Sequence, residues 1–200
     1  GRGSGQDRVE ERDATEGNVD VVQVGADVGP GEVSVRRVGD DLVLTLGASG
    51  DQLAVTRQFY ENNSGYRVEE VRFGDGTVWN EAALRAQALE GTAGPDTLIG
   101  YGDSGDAISG LGGDDVLDGR DGDDTLDGGA DAGTLFGQAG ADTLQGGAGD
   151  DTLEGGGGED VLDGGPGNDF MVGEAGNDTY LFGRGSGQDR VEERDATEGN

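Results

Sequence analysis

Apolar residues are spaced in two contrasting ways along this chain, and each spacing predicts a different kind of structure. In the first part, Val33–Val38 and Asp41–Leu46 are short β-rich runs flanking Gly39-Asp40, a glycine-first two-residue turn, so a β-hairpin is expected. Leu42, Leu44 and Leu46 alternate with Val43 and Thr45, which gives the second strand one buried face. Asp51–Phe59 carries Leu53, Val55 and Phe59 at even spacing, and Tyr66–Phe73 reads as a further strand. Gly74-Asp75-Gly76 then turns the chain towards Thr77-Val78-Trp79. A helix of about eleven residues, Asn80–Glu90, is predicted to follow, with Asn80 as N-cap. Trp79 and Leu84 stand at the two places a hydrophobic staple requires.

From Gly91 to Leu181 the rhythm changes to one large apolar residue in every nine. These are Leu98, Ile108, Leu117, Leu126, Leu135, Leu144, Leu153, Leu162, Met171 and Tyr180. They belong to units starting at Gly91, Gly100, Gly110, Gly119, Gly128, Gly137, Gly146, Gly155, Gly164 and Gly173; only the second, Gly100–Ser109, has ten residues. The clearest unit, Gly146–Glu154, reads G-G-x-G-x-D-x-U-x with U apolar. Such a unit buries its single apolar place only against neighbouring units, so the repeat predicts stacking. The last three places of each unit suit a very short strand, and the glycines permit the positive-φ backbone of a tight loop. Two units then make one coil, and units of like parity stack about 4.8 Å apart.

Composition sharpens this picture. Hydrophobic residues make up 32% of the chain, too few for a large conventional core, and the 44 glycines follow no collagen-like triplet. The net charge is −30, and Gly91–Leu181 holds 21 acidic residues against one basic, Arg120. Self-repulsion on that scale opposes compaction. Nucleic acid and membrane insertion are therefore not expected, and no apolar run approaches the ~18–20 residues of a membrane span. With neither cysteine nor histidine, disulfides, the common zinc sites and His-based triads are excluded.

The sixth place of almost every unit is Asp, so stacking ranks carboxylates in two columns. At an effective dielectric near 20, charges one strand spacing apart repel by about 3 kcal/mol per pair. Summed along both columns, this exceeds a typical net domain stability of ~5–15 kcal/mol. A divalent cation between successive carboxylates reverses the sign. Calcium suits the place, because it accepts 6–8 oxygens in flexible geometry, whereas magnesium demands a small octahedral shell and keeps its waters. Metal binding and folding would then be one event.

The phrase resembles the RTX (repeats-in-toxin) nonapeptide of the parallel β-roll. Val19–Trp79, closing with Phe73-Gly74-Asp75-Gly76-Thr77-Val78-Trp79, is similar to the haemolysin-type calcium-binding-related domain that flanks such rolls. The resemblance implies an all-β chain: a right-handed parallel β-roll (a β-solenoid) of about five coils, plus a small β-rich domain with one short helix. It implies calcium, roughly six to eight ions per roll, bound by sixth-place Asp and by carbonyls of the glycine loops. It also implies type I secretion with folding outside the cell. Carried over residue by residue, the ligands are Asp96, Asp115, Asp151 and Asp169 on one side, with Asp189 closing that column. Asp124, Asp142, Asp160 and Asp178 lie on the other, joined by Asp106 if the extra residue of its unit is absorbed. The fifth unit departs, with Gly133 at the ligand place, so one or both of the sites shared with Asp115 and Asp151 are expected to be empty or distorted unless Asp131 reaches across. Fifth-place Asp114, Asp123 and Asp150 are read as solvent-facing.

Residues 1–18 and 183–200 are the same string, GRGSGQDRVEERDATEGN. Either one period of a tandem array with an overlap or an engineered duplication explains it. The domain reading is 1–18 as the end of a preceding roll or a cap, 19–90 as the β-rich domain, 91–181 as the roll, and 182–200 as the start of the next repeat. No signal peptide is evident, and the chain reads as an excised piece of something longer. No enzyme is expected: carboxylate pairs are everywhere, but no apolar pocket raises one pKa. Three functions remain open. The first is a calcium-rigidified segment of a surface fibre, filament or adhesin, secreted and extracellular, with neighbouring copies of itself end to end as partners. The second is a secretion-assisting module of a hydrolase or pore-forming toxin. The third is glycan or cell-surface binding through Tyr60, Tyr66 and Trp79. Asn62-Asn63-Ser64 fits a glycosylation sequon but reads as an ordinary loop.

Overall fold

The computed structural model describes residues 5–9, 19–47, 49–56, 58, 68–102 and 104–194. Phe59, Tyr60, Tyr66, the Asn62-Asn63-Ser64 sequon and most of the duplicated string's two tails lie outside the described residues. The chain divides into two compact units, Gly1–Ala88 and Leu89–Asn200.

In the first unit the predicted hairpin forms as read. Strands β3 (Val33–Val38) and β4 (Asp41–Leu46) pair antiparallel with Val38 opposite Asp41, and Gly39 takes φ +62° at the turn. Leu42 and Leu44 are buried on the predicted face. Strand β5 (Gln52–Val55) pairs antiparallel with β4, and β1 (Gln6–Val9) adds to β5 in parallel, giving the order β1-β5-β4-β3. A second sheet joins β2 (Val21–Gln23), β6 (Glu70–Arg72) and β7 (Val78–Asn80). Between its last two strands, Asp75 Oδ1 accepts the Thr77 N–H at 2.8 Å. The Phe73 ring meets Trp79 edge to face at 4.6 Å. Gln58, 1% exposed, replaces a missing strand partner: its amide donates to the Val68 carbonyl (2.7 Å) and accepts the Val68 N–H (2.9 Å).

Two expectations need correction here. Strand β5 ends at Val55, four residues before Phe59. The helix, α1 (Glu81–Ala88), is eight residues rather than about eleven. Asn80 does cap it, accepting the Ala83 N–H at 3.0 Å, and Trp79 and Leu84 are both buried. It stops because Leu89 and Glu90 leave for the solenoid: the Leu89 carbonyl accepts the Ser109 N–H and Glu90 bridges Ser109. No helix among the described residues is long and apolar enough to cross a membrane.

The second unit is a β-solenoid of about five turns, each made from two nonapeptides. Its strands are β8 (Thr97–Ile99), β9 (Ala107–Ser109), β10 (Val116–Asp118), β11 (Thr125–Asp127), β12 (Thr134–Ala139) and β13 (Thr143–Gln145). They continue through β14 (Thr152–Gly157), β15 (Val161–Asp163), β16 (Phe170–Ala175), β17 (Thr179–Leu181) and β18 (Arg190–Glu192). Even-numbered strands from β8 to β18 form one parallel sheet, and odd-numbered ones from β9 to β17 form the other. Strand follows strand on opposite sides because the intervening glycine loop is too short to do anything but turn.

Register is set by the one apolar place per unit. Leu98, Leu117, Leu135, Leu153 and Met171 align in one sheet, and Ile108, Leu126, Leu144, Leu162 and Tyr180 in the other. Leu117 through Leu162 are fully buried. Each such Leu contributes about 1.5–3 kcal/mol relative to exposure. The core is thus a double file of side chains, one per rung.

The paired glycines that open a unit do two different jobs. From the third unit on, the second place is left-handed: Gly147 has φ +97°, and where this place carries a side chain there the backbone does not change, as at Leu111 (+69°), Arg120 (+76°), Gln138 (+78°) and Glu174 (+71°). The first place, contrary to the expectation that the loop glycines serve positive φ, has ordinary dihedrals. Its glycine is required by space, for the reason given next.

Candidate metal centre

Each rung turns so that its sixth-place Asp points inward between coils. Asp96, Asp115, Asp124, Asp142, Asp151, Asp160 and Asp169 are all 5% exposed or less, while Asp106, Asp178 and Asp189 are half-buried. Two columns result. In the first, the N–H of Asp96 donates to Asp115 Oδ1 (2.8 Å), Gly133 to Asp151 (2.6 Å), Asp151 to Asp169 (2.9 Å) and Asp169 to Asp189 (3.1 Å). In the second, Asp106 donates to Asp124 (2.7 Å), Asp124 to Asp142 (2.8 Å), Asp142 to Asp160 (2.8 Å) and Asp160 to Asp178 (2.9 Å). The extra residue of the second unit is absorbed before Asp106, which keeps its place in the column.

This modifies the electrostatic picture drawn from the sequence. Carboxylates do not simply face each other; past the heads of the columns, Oδ1 of each Asp is tied to an amide of the preceding coil, which offsets part of the repulsion. The other oxygen is where the demand lies. Oδ2 of Asp115, Asp124, Asp142, Asp151, Asp160, Asp169 and Asp178 is buried with no hydrogen-bond partner. A buried unpaired carboxylate oxygen is among the costliest groups a protein can hold. Asp96 and Asp106, at the heads of the columns, differ: their Oδ2 accepts the N–H of Thr92 (2.6 Å) and of Tyr101 (2.5 Å). Asp118 Oδ1, not singled out in the sequence, is a further buried oxygen without a partner.

The burial is felt in protonation. Desolvation pushes the Asp124 carboxyl up to about 7 and that of Asp160 up to about 6, against the opposing pull of the amide bond and with help from neighbouring carboxylates. Asp115, Asp142, Asp151 and Asp169 are raised for the same leading reason.

First-place glycines complete the cradle. A Cβ on Gly146 would lie 2.6 Å from both Asp151 Oδ2 and the Gly164 carbonyl oxygen. Gly110 repeats the arrangement with Asp115 Oδ2 and the Gly128 carbonyl, and Gly137 with Asp142 Oδ2 and the Gly155 carbonyl. So a carboxylate oxygen and a carbonyl oxygen from the next coil on that side converge where a side chain would otherwise stand. Among the described residues no three acidic side chains converge as a ready-made metal-binding set, so a cation held here would add backbone carbonyls to the carboxylates. An all-oxygen set of carboxylates and carbonyls fits calcium. When bound, the ion supplies the positive charge that the unpartnered Oδ2 atoms lack. Residues placed to hold it are the successive Asp pairs of each column and the first-place glycine carbonyls.

The fifth unit breaks the first column as its sequence implied. Gly133 offers an amide to Asp151 but no carboxylate to the Asp115 side. Asp131 does not fill the gap: it is exposed, and its Oδ2 accepts the Gly113 N–H at 3.3 Å. It belongs with the fifth-place residues Asp114, Asp123 and Asp150, which are exposed and accept from Ala132, Ala141 and Asn168 on the outer rim. Trp79, considered for a sugar platform, is 9% exposed and packs on Phe73 in its own unit.

Comparison with known proteins agrees with this geometry. The model of the RTX calcium-binding nonapeptide repeat matches in overlapping stretches from residue 86 to 189. The haemolysin-type calcium binding protein related domain matches residues 41–83. Iron-regulated protein FrpA of Neisseria meningitidis serogroup C is 36% identical over 115 residues, 57% of this chain; the match spans 10% of that relative's length. With glycine-cradled Asp columns running through a solenoid of nonapeptides, and the repeat model matching over half of its length, the chain belongs to the RTX calcium-binding repeat family.

Proposed function

We propose that this chain is a calcium-folded structural segment of a secreted, extracellular protein, one rigid link in a surface fibre, filament or adhesin, with no catalytic role of its own. The observation that carries the reading is the set of buried Asp Oδ2 atoms without partners, which makes the metal-free roll unfavourable and the calcium-loaded one rigid. Linkage sets the scale: at tenfold excess over Kd a site contributes about 1.4 kcal/mol, and several in series rival a typical net stability of ~5–15 kcal/mol. With site affinities of ~10⁻⁴–10⁻³ M, millimolar calcium outside the cell folds the roll and cytosolic calcium leaves it open. The verbatim string at 1–18 and 183–200 supports an array, since identical copies add length and stiffness. A second reading, a folding module of a type I-secreted hydrolase or toxin, is favoured by the size of the relative, of which the match spans a tenth. The test is circular dichroism with light scattering through a calcium titration, magnesium as control. Calcium should compact the chain and create β structure; equal β structure in chelator would sink the proposal. Many tandem copies in the full-length gene decide for the fibre, and a roll beside a catalytic domain for the module.

A further inference from the structure

Part of the duplicated string forms a strand in each of its positions, and the two strands use opposite edges. At the front, β1 (Gln6–Val9) is the edge of the β1-β5-β4-β3 sheet and runs parallel to β5, with Gln6 beside Gln52 and Val9 beside Val55. At the rear, β18 (Arg190–Glu192) is the edge of the solenoid sheet and runs parallel to β16, with Arg190 beside Phe170 and Glu192 beside Val172. By identity of sequence, Gly5, Gln6, Asp7, Arg8 and Val9 correspond to Gly187, Gln188, Asp189, Arg190 and Val191.

In a parallel ladder a residue directs its N–H and C=O to the same neighbour, and the next residue directs both to the opposite edge. At the front, the Gly5 carbonyl accepts the Gln52 N–H at 2.9 Å, so Gly5, Asp7 and Val9 serve β5 while Gln6 and Arg8 face outward. At the rear, the Arg190 N–H donates to the Asp169 carbonyl at 2.7 Å and the Ser186 carbonyl accepts the Gly167 N–H at 3.1 Å. So Ser186, Gln188, Arg190 and Glu192 serve the solenoid, and Gly187, Asp189 and Val191 face outward. The two sets interleave without a shared group. One copy of the string therefore has backbone hydrogen bonds enough for both neighbours at once, and both neighbours want it in the same direction.

Resting on the array reading above, we propose that the string is a shared strand: its even-numbered groups close the roll of one copy while its odd-numbered groups start the four-stranded sheet of the following copy. A second copy of this chain is thus the partner, joined through continuous parallel sheet rather than through a flexible linker. The rear of the roll is left as such a junction requires. Leu181 (44%), Phe182 (75%) and Val191 (48%) are exposed apolar residues at that end, and an uncovered strand edge there is a template for pairing. The string is also held firmly to the roll, by the Asp169–Asp189 bond and by the Arg190 guanidinium 5.1 Å from the Phe170 ring centre. At the front, Asp51 Oδ1 receives the Gly5 N–H at 2.9 Å and holds the residue that leads into β1.

In the 200-residue chain β5 and β16 each already hold their own copy of the string, so neither takes one from another molecule and the chain should stay monomeric in calcium. Deleting residues 1–18 opens the β5 edge to another molecule's rear string; deleting 183–200 opens the roll edge to another molecule's front string. Each deletion should give head-to-tail polymers in calcium, with the mass by light scattering rising more than about twofold with concentration. Deleting both strings should give monomers. Val191→Pro in the first deletion removes only a donor aimed at β5, so polymers should vanish while calcium-induced dichroism persists. Arg8→Pro should do the same in the second. Monomers in both single deletions with dichroism intact would overturn the shared strand and leave the calcium reading standing. Polymers that survive both proline variants, or that form without either string, would overturn it as well. Loss of calcium-induced dichroism in the full chain would instead strike the underlying reading.

Discussion

Replacing Asp124 by Asn separates the two opposing effects of a sixth-place carboxylate. The side chain is 2% exposed; its Oδ1 accepts the Asp106 N–H at 2.7 Å and its Oδ2 has no partner. Asn keeps the acceptor and the shape and removes the charge. In the metal-free roll the carboxyl titrates near 7 against a reference of 3.8. That gap is worth at most about 4 kcal/mol at 1.36 kcal/mol per pH unit, and relaxation and water entry reduce it to about 2–4 kcal/mol. Because the folded-state value is the higher one, the penalty is absent below pH ~4, grows as pH rises to ~7, and is constant above. D124N should therefore make metal-free folding easier at pH 8 and flatten its pH dependence between ~4 and ~7. With calcium the sign reverses: the places shared with Asp106 and Asp142 each lose a charged ligand, and the calcium midpoint should rise at least about tenfold, ~1.4 kcal/mol per place. The assay is far-ultraviolet dichroism of both chains, once in chelator with a sucrose ramp that brings metal-free folding into range, once as a calcium titration. A D124N chain harder to fold in chelator than the parent would refute the reasoning, because the carboxylate would then matter for its amide bond and not for want of a cation.

The remaining predictions concern the glycine places, the broken column and the first unit. Gly146→Ala puts a methyl 2.6 Å from Asp151 Oδ2 and the Gly164 carbonyl, and should cost about 1–3 kcal/mol in a thermal melt with calcium, with a raised calcium midpoint. Gln138→Gly, at an exposed second place with φ +78°, should stabilise the loaded roll by up to about 1 kcal/mol; a loss would contradict the division of labour between the two glycines. Gly133→Asp restores the missing carboxylate opposite Asp115 and Asp151, and titration calorimetry should count more calcium than in the parent. Gln58→Ala removes the amide paired with Val68 and should cost about 1–3 kcal/mol in calcium and chelator alike, read by fluorescence of Trp79, the one tryptophan.

Periodicity alone carried a large part of this structure. One apolar residue per nine left no other way to bury Leu117 or Leu144 than against residues eighteen positions away, so the solenoid and its register were legible before any coordinate. Asn80 as a cap and Gly39 at a hairpin were legible too, because local backbone chemistry decides them. The helix end was not, since Ala88 is followed by residues whose hydrogen-bond partners sit in the next coil. Strand β1 was equally hidden: nothing in Gln6–Val9 announces a parallel partner more than forty residues on.

The sequence by itself determined the repeat, the charge that opposes a bare stack, the candidate Asp at nearly every sixth place and the gap at Gly133, because all of these are properties of residue type and spacing. Tertiary structure alone decided which carboxylate oxygen is bonded and which is not, why the first glycine of each pair needs room while the second needs a left-handed backbone, and which edge of the duplicated string faces which sheet. Those are matters of where backbone groups from neighbouring coils meet, and spacing along a chain does not specify the direction in which an N–H or a carbonyl points.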